Sequence, residues 1–304
     1  MNAEKFFKHP VGIMLAATMA TLLWGSAFPF IKLSYGKLGI GKDNWPEQLL
    51  FAGYRFVMAA LLIFGFMMLI RKKAGYQSGT LLKIGKIGLF QTFLQYVFFY
   101  YGLSGSSGIQ GSIIAGTTSF FQLLLAHFMY KNDRINRKIV IGTLLGFAGV
   151  IIVNMTKGTL SLNIGIAEIC LLIAMFFGAL GNVFSKNAAQ ELDVLYITSW
   201  QMLIGGGAML LLGVAFAGIM PFTFTWETIL MLLYLAFLSA LGFVLWNNVM
   251  KYNKVGKISM YLFLVPVFGV ILSALMLSEE IHLIVLLALG LVVSGIVIVN
   301  RSKA

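Results

Sequence analysis

Ten long apolar runs dominate this chain, and no other feature limits its fold as strongly. They lie near residues 11–34, 48–70, 84–104, 109–130, 138–155, 164–185, 196–217, 227–249, 258–277 and 282–300. About 20 apolar residues let a helix cross a bilayer, and a helix satisfies all its own backbone hydrogen bonds in lipid. Ten such spans use roughly 200–230 residues, which leaves loops and tails but no extramembrane domain in a chain of 304. Composition agrees: 60% of residues are hydrophobic and 11% charged, against about 25% charged in soluble domains. Soluble and disordered classes are thereby excluded. The least distinct boundary is the uncharged, turn-like stretch from Ser104 to Gly111. The first run follows a charged leader, yet it is longer than the apolar region of a signal peptide and reads as a span.

The net charge of +12 is a topological signal rather than a nucleic-acid signal, because no domain is available to present a basic patch. Of 22 Lys and Arg residues, Lys32 and Arg55 fall inside runs. Lys37, Lys42 and Lys157 fall on one side, and the other 17 fall on the opposite side. Basic residues gather on the cytoplasmic side, so both termini are expected inside. One cysteine, Cys170, excludes an intrachain disulfide and leaves little for a zinc or redox site.

The chain also repeats itself. Gly149 to Asn154 (GVIIVN) matches Gly295 to Asn300 (GIVIVN) at an offset of 146, which sets Arg55 against Gln201 and Asp133 against Glu279. The register aligns runs two to five with runs seven to ten. Residues 1–157 and 158–304 are therefore expected to be two five-helix repeats. Five is odd, so the second repeat enters the membrane from the opposite side, the inverted layout of many transporters. The loop around Asp133 carries four basic residues, while its counterpart has Glu279 and Glu280 and no Lys or Arg.

Three segments resemble the drug/metabolite transporter superfamily, EamA-type. They are Trp24 to Lys32 (WGSAFPFIK), Tyr54 to Leu62 (YRFVMAALL) and Val255 to Ile281, with its proline and following acidic pair. The resemblance covers essentially the whole chain. It implies two inverted five-helix repeats around a central cavity, and export of small metabolites such as amino acids. The fourth run departs from the family pattern, with Thr117, Thr118 and Ser119 at the usual proline position, and the acidic loop reads KNDRIN from Lys131 to Asn136.

Ionisable groups inside spans are costly and mark function. Arg55 lies about seven residues, roughly 11 Å, into its span. It either binds a carboxylate or phosphate in bidentate fashion or pairs with carbonyls near the outer surface. Glu168 and Lys32 are expected as proton-coupling groups or charge partners, with interfacial placement as the alternative. His127 sits near an inner end and reads as interfacial. Trp24, Phe28 and Lys32 share one helix face, as do Gln91 and Gln95, with Tyr100 and Tyr101 beyond. Trp24, Arg55, Tyr101, Gln201 and Trp246 are expected to line one central cavity and bind substrate. Gly142, Gly146 and Gly149, and Gly205 to Gly207, read as close-packing faces.

No P-loop, HExxH or GxSxG pattern is present, so direct ATP use, metal catalysis and serine hydrolase chemistry have no support. No cofactor and no metal is expected. The sequence as a whole is read as an all-α secondary transporter of the plasma membrane, most simply a metabolite exporter working by alternating access. Its partners are a small-molecule substrate and the lipid bilayer, with no nucleic acid, and it acts as a monomer or weak homodimer. An uptake carrier for a sugar or nucleotide-linked substrate is the alternative. A lipid-modifying membrane enzyme is disfavoured, because its acidic residues would cluster at one surface and the 10 present are scattered.

Overall fold

A computed structural model describes residues 3–131, 134–154, 165–278 and 284–300. All regular structure among the described residues is helical. Seven helical stretches are long and apolar enough to cross a bilayer: Pro10–Leu38, Trp45–Leu69, Gly108–Met129, Ile166–Ala188, Val194–Ala217, Trp226–Tyr252 and Val255–Leu277.

After a short amphipathic α1 (Ala3–Lys8), α2 spans Pro10–Leu38. His9 caps its start by accepting from Val11 N, and Pro10 sits at the first position, where the missing N–H costs nothing. Gly39 ends it in the left-handed conformation with φ of 70°, the usual helix stop. Trp45–Leu69 forms α3. The third apolar run is helical but not uniform: α4 (Leu81–Ile87) passes through a π-helical segment (Gly88–Leu94) into α5 (Gln95–Ser104). The turn-like stretch after Ser104 separates α5 from α6 (Gly108–Ala115), which Gly116 divides from α7 (Thr117–Met129). Arg137–Asn154 forms α8.

The second half continues with α9 (Ile166–Ala188), α10 (Val194–Ala217) and α11 (Trp226–Tyr252). Asp193 caps α10 through Leu195 N at 2.9 Å. A short α12 (Val255–Ile258) leads through a 3-10 segment (Ser259–Phe263) into α13 (Leu264–Leu277), and α14 spans Ile284–Asn300. The acidic pair Glu279 and Glu280, Asp133 and Lys157 lie outside the described residues.

Small residues set the packing. A Cβ on Gly53 would stand 2.5 Å from Leu210 N, and one on Gly213 would stand 2.6 Å from Leu50 Cα. These two contacts press α3 and α10 together along their length and show that they run antiparallel. Likewise Gly142 of α8 meets Val299 and Gly295 of α14, while Gly295 meets Gly142 and Gly146, so that pair is antiparallel too. Helices in lipid gain little from hydrophobicity between them and associate through such close packing. Within the Gly205 to Gly207 cluster, Gly205 approaches Thr92 and Gly206 approaches Phe56, while Gly207 has open space beside it.

Around these seams, α2 packs on α11 and α13, α5 on α9, α6 on α13, and α7 on α9. The outer surface carries large apolar side chains such as Leu61, Met68, Leu211, Phe216 and Leu286, as a lipid-facing wall requires. The molecule is a multi-pass membrane protein.

Candidate functional site

Arg55 organises the centre of the molecule. It lies on the face of α3 that packs against α11, and only 1% of its surface is exposed. Its Nε donates to Ser239 Oγ at 2.7 Å and to Leu235 O at 3.2 Å, both on α11. Its Nη1 donates to Tyr100 Oη on α5 at 3.0 Å. The guanidinium also stacks near the rings of Phe56, at 5.0 Å, and Tyr96, at 5.6 Å. A guanidinium carries five N–H donors in a fixed fork, and these contacts leave the Nη2 edge without a described partner. None of the four ion pairs among the described residues includes Arg55. Its one carbonyl partner is inside the bundle, so Arg55 does not reach for the outer surface as a snorkelling residue does.

The guanidinium borders a central cavity. Its wall comes from α2 (Trp24, Ala27, Phe28), α5 (Gln95, Tyr96, Phe99), α6 and α7 (Ala115, Thr118), α9 (Met175, Asn182), α11 (Phe243), the 3-10 segment (Leu262) and the start of α13 (Val265). About 70 Å³ of free space remains inside, room for a few waters, so a metabolite enters only if the helices part. Two polar atoms at this wall are buried with no hydrogen-bond partner: Trp24 Nε1 and Gln95 Oε1. Glycines seat both side chains. A Cβ on Gly242 would lie 2.9 Å from Trp24 Nε1, and one on Gly178 would lie 2.7 Å from Gln95 Nε2.

Of the five residues expected to share one cavity, Trp24 and Arg55 do line it. The other three do not. Tyr101 is 40% exposed, and its neighbour Tyr100 turns inward to Arg55 instead; one residue around a helix is about 100°, so adjacent tyrosines cannot share a face. Gln201 is fully buried between α10 and the π-helical segment, where Oε1 accepts from Thr92 Oγ1. Trp246 is fully buried behind Trp24, with ring centres 5.6 Å apart, and supports the wall without forming it.

Glu168 does not approach Arg55. Its Oε2 accepts from Gly165 N at 2.9 Å, capping α9, and its Oε1 accepts from Gln110 Nε2 at 3.0 Å. Lys32 donates to Ser106 O beyond the end of α5. His127 Nδ1 accepts from Ile135 N at 3.1 Å at the end of α7.

One constellation escaped the sequence reading. Gln91 Nε2 donates to Asn182 Oδ1 at 2.6 Å, Asn182 Nδ2 donates to Gln122 Oε1 at 2.8 Å, and Gln122 Nε2 donates to Ser259 Oγ at 2.7 Å. Ser119 Oγ adds a bond to Ser259 O at 2.7 Å. This buried chain ties the π-helical segment, α9, α7 and the 3-10 segment together at the Asn182 end of the cavity. Gln91, Asn182, Gln122 and Ser259 lie in four separate apolar runs, so only the tertiary fold reveals the partnership; the one local signal is that amides are costly in lipid unless paired.

Residues 11–155 and 165–301 each match the EamA-like transporter family. An uncharacterized transporter of Bacillus subtilis (strain 168), YoaV, is 27% identical over 300 residues, covering 94% of this chain and 96% of that protein. A probable amino-acid metabolite efflux pump of Salmonella typhimurium is 28% identical, covering 93% of this chain and 92% of that protein. Its namesake in Escherichia coli (strain K12) is 26% identical with the same coverage. Among solved structures, one crystal structure superposes with a TM-score of 0.76 over 94% of this chain and 97% of the other, at 18% identity, which is a likeness of fold.

Proposed function

Because the chain belongs to the EamA-like transporter family, we propose that it is a secondary transporter that exports small amphipathic metabolites, amino acids or related compounds, by alternating access through the central cavity. The observation that carries this reading is Arg55. A buried guanidinium without a carboxylate is expensive, and it borders an aromatic-walled cavity with two further unpaired polar atoms. Trp24 and Arg55 bind the substrate, and Arg55 takes an anionic group.

Ten membrane helices in two inverted repeats are part of this reading. At the offset of 146, α3 corresponds to α10 and α8 to α14, and each of these pairs packs antiparallel. Corresponding helices that run in opposite directions are what an inverted repeat requires. The packing is reciprocal as well: α2 on α11 is matched by α5 on α9, and α13 on α2 by α7 on α9. Both breaks in helicity near the centre, at Gly116 and at Ser259–Phe263, also correspond. In this reading the protein sits in the plasma membrane with both termini in the cytoplasm, an orientation that the basic bias supports.

Counterflow in proteoliposomes with a panel of amino acids, organic acids, sugars and cationic drugs tests the function. Accelerated exchange of at least one compound, lost in Arg55→Gln, is the expected result. No counterflow by well-folded protein with any member of the panel would contradict it.

A further inference from the structure

The charge balance of the cavity says more than its size. Of the 14 described residues that line it, Arg55 alone carries a formal charge; no Asp, Glu, His or Lys is among them. The acidic residue of α9, Glu168, is engaged with Gly165 and Gln110. A monoanion therefore neutralises the site. A cation meets the guanidinium with no formal negative charge to offset it. A zwitterion fits its carboxylate but must desolvate an ammonium with no carboxylate to receive it, and an unpaired buried charge is costly. The other unpaired atoms, Trp24 Nε1 and Gln95 Oε1, add one N–H donor and one carbonyl acceptor but no countercharge for an ammonium.

Resting on the transporter reading above, and narrowing its substrates from amino acids to related compounds that lack the amine, we propose that the substrate is an organic monoanion with an apolar body and no charged amine, and that it crosses as the anion, without a coupled proton. A guanidinium is a fixed charge and does not serve as a proton carrier. The titratable neighbours of Arg55 are Tyr96 and Tyr100 on α5 and Tyr35 on α2; α11 offers it only Ser239 and a carbonyl, and α10 offers no charged group. Phenols lose their protons near pH 10 in water. The described wall holds no carboxylate, imidazole or amine to carry a proton alongside the substrate, so each turnover moves one negative charge. An inside-negative potential then drives export, by on the order of fifty-fold in concentration ratio per 100 mV.

The test uses four compounds of one shape: phenylpropanoate (anion), phenylalanine (zwitterion), phenylpropanamide (neutral) and phenethylamine (cation). Binding is followed by thermal shift in nanodiscs, and transport by current on solid-supported proteoliposome membranes, where leak of the protonated acid carries no charge. Phenylpropanoate is expected to bind about tenfold or more tightly than the other three. A phenylpropanoate jump should give a current with the sign of negative charge entering the liposome, unchanged by an imposed pH gradient. Arg55→Gln should abolish that current. Gln95→Glu, which supplies the missing carboxylate, should shift preference towards phenylalanine; it keeps the proposal testable if Arg55→Gln fails to fold.

Phenylalanine bound as tightly as phenylpropanoate, transport without current, or a flux that follows the pH gradient would overturn the proposal and leave the transporter reading intact. If none of the four moves, the counterflow panel decides. A zwitterionic, neutral or cationic substrate there overturns the proposal alone, another monoanion supports it, and silence throughout removes the transporter reading with it.

Discussion

At the scale of single residues, the account turns on how a guanidinium is held in lipid. Arg55 is fixed on one edge by Ser239, Leu235 and Tyr100 and left open on another. Lysine keeps the charge but loses the fork. Arg55→Lys should lower transport about tenfold or more while expression and thermal stability stay near those of the parent; transport assays on purified, matched protein check this, and unchanged transport would leave Arg55 a packing residue. Glu168 behaves differently. It caps α9, so Glu168→Gln should cost about 0.5–1 kcal/mol of stability and leave the pH profile of transport unmoved; a displaced profile would return Glu168 to the mechanism. The placement of Arg55 inside the bundle was legible in the sequence, since charge inside an apolar run stands out without any structure. The choice of Tyr101 over Tyr100 was not. A helix buried on most sides has no polar stripe to set its phase, and two adjacent tyrosines look alike to composition. Trp246 misleads for a related reason: a tryptophan at a symmetric position is equally good as wall or as support, and only packing against Trp24 decides.

Between elements, two kinds of contact dominate: glycine seams and buried amides. The α3–α10 seam has no room at Gly53, where a Cβ already meets Leu210 backbone, whereas Gly207 faces open space. Gly53→Leu should destabilise the protein by about 1–3 kcal/mol or prevent folding, while Gly207→Ala is neutral or slightly stabilising; melting curves in detergent separate the two. The amide chain makes a second prediction. Gln122→Leu strands Asn182 Nδ2 and one side of Ser259, and should cost about 1–2 kcal/mol. A variant as stable as the parent would mean that the chain contributes nothing. Helix existence was legible at this scale because apolar length alone fixes it. The π-helical segment, the break at Gly116 and the 3-10 segment were not, since each replaces one hydrogen-bond register with another without altering hydropathy.

For the whole molecule, the proposed inverted repeat and the basic bias make one joint prediction about sidedness. In a Cys170→Ala background, Lys42→Cys should label from outside intact cells and Lys73→Cys only after permeabilisation; the reverse pattern would invert the assignment of sides. The central cavity poses the harder question, because its free space of about 70 Å³ admits no metabolite until the helices around it separate. If two inverted repeats exchange conformations, that separation occurs on each side in turn. Thr118, at the cavity wall, reports it. The direct measurement is labelling of Thr118→Cys, in the Cys170→Ala background, by a membrane-impermeant thiol reagent applied to right-side-out and to inside-out vesicles. Alternating access through this cavity predicts labelling from both sides, slowed on both by a transported compound; labelling confined to one side, whatever the ligand, would contradict it.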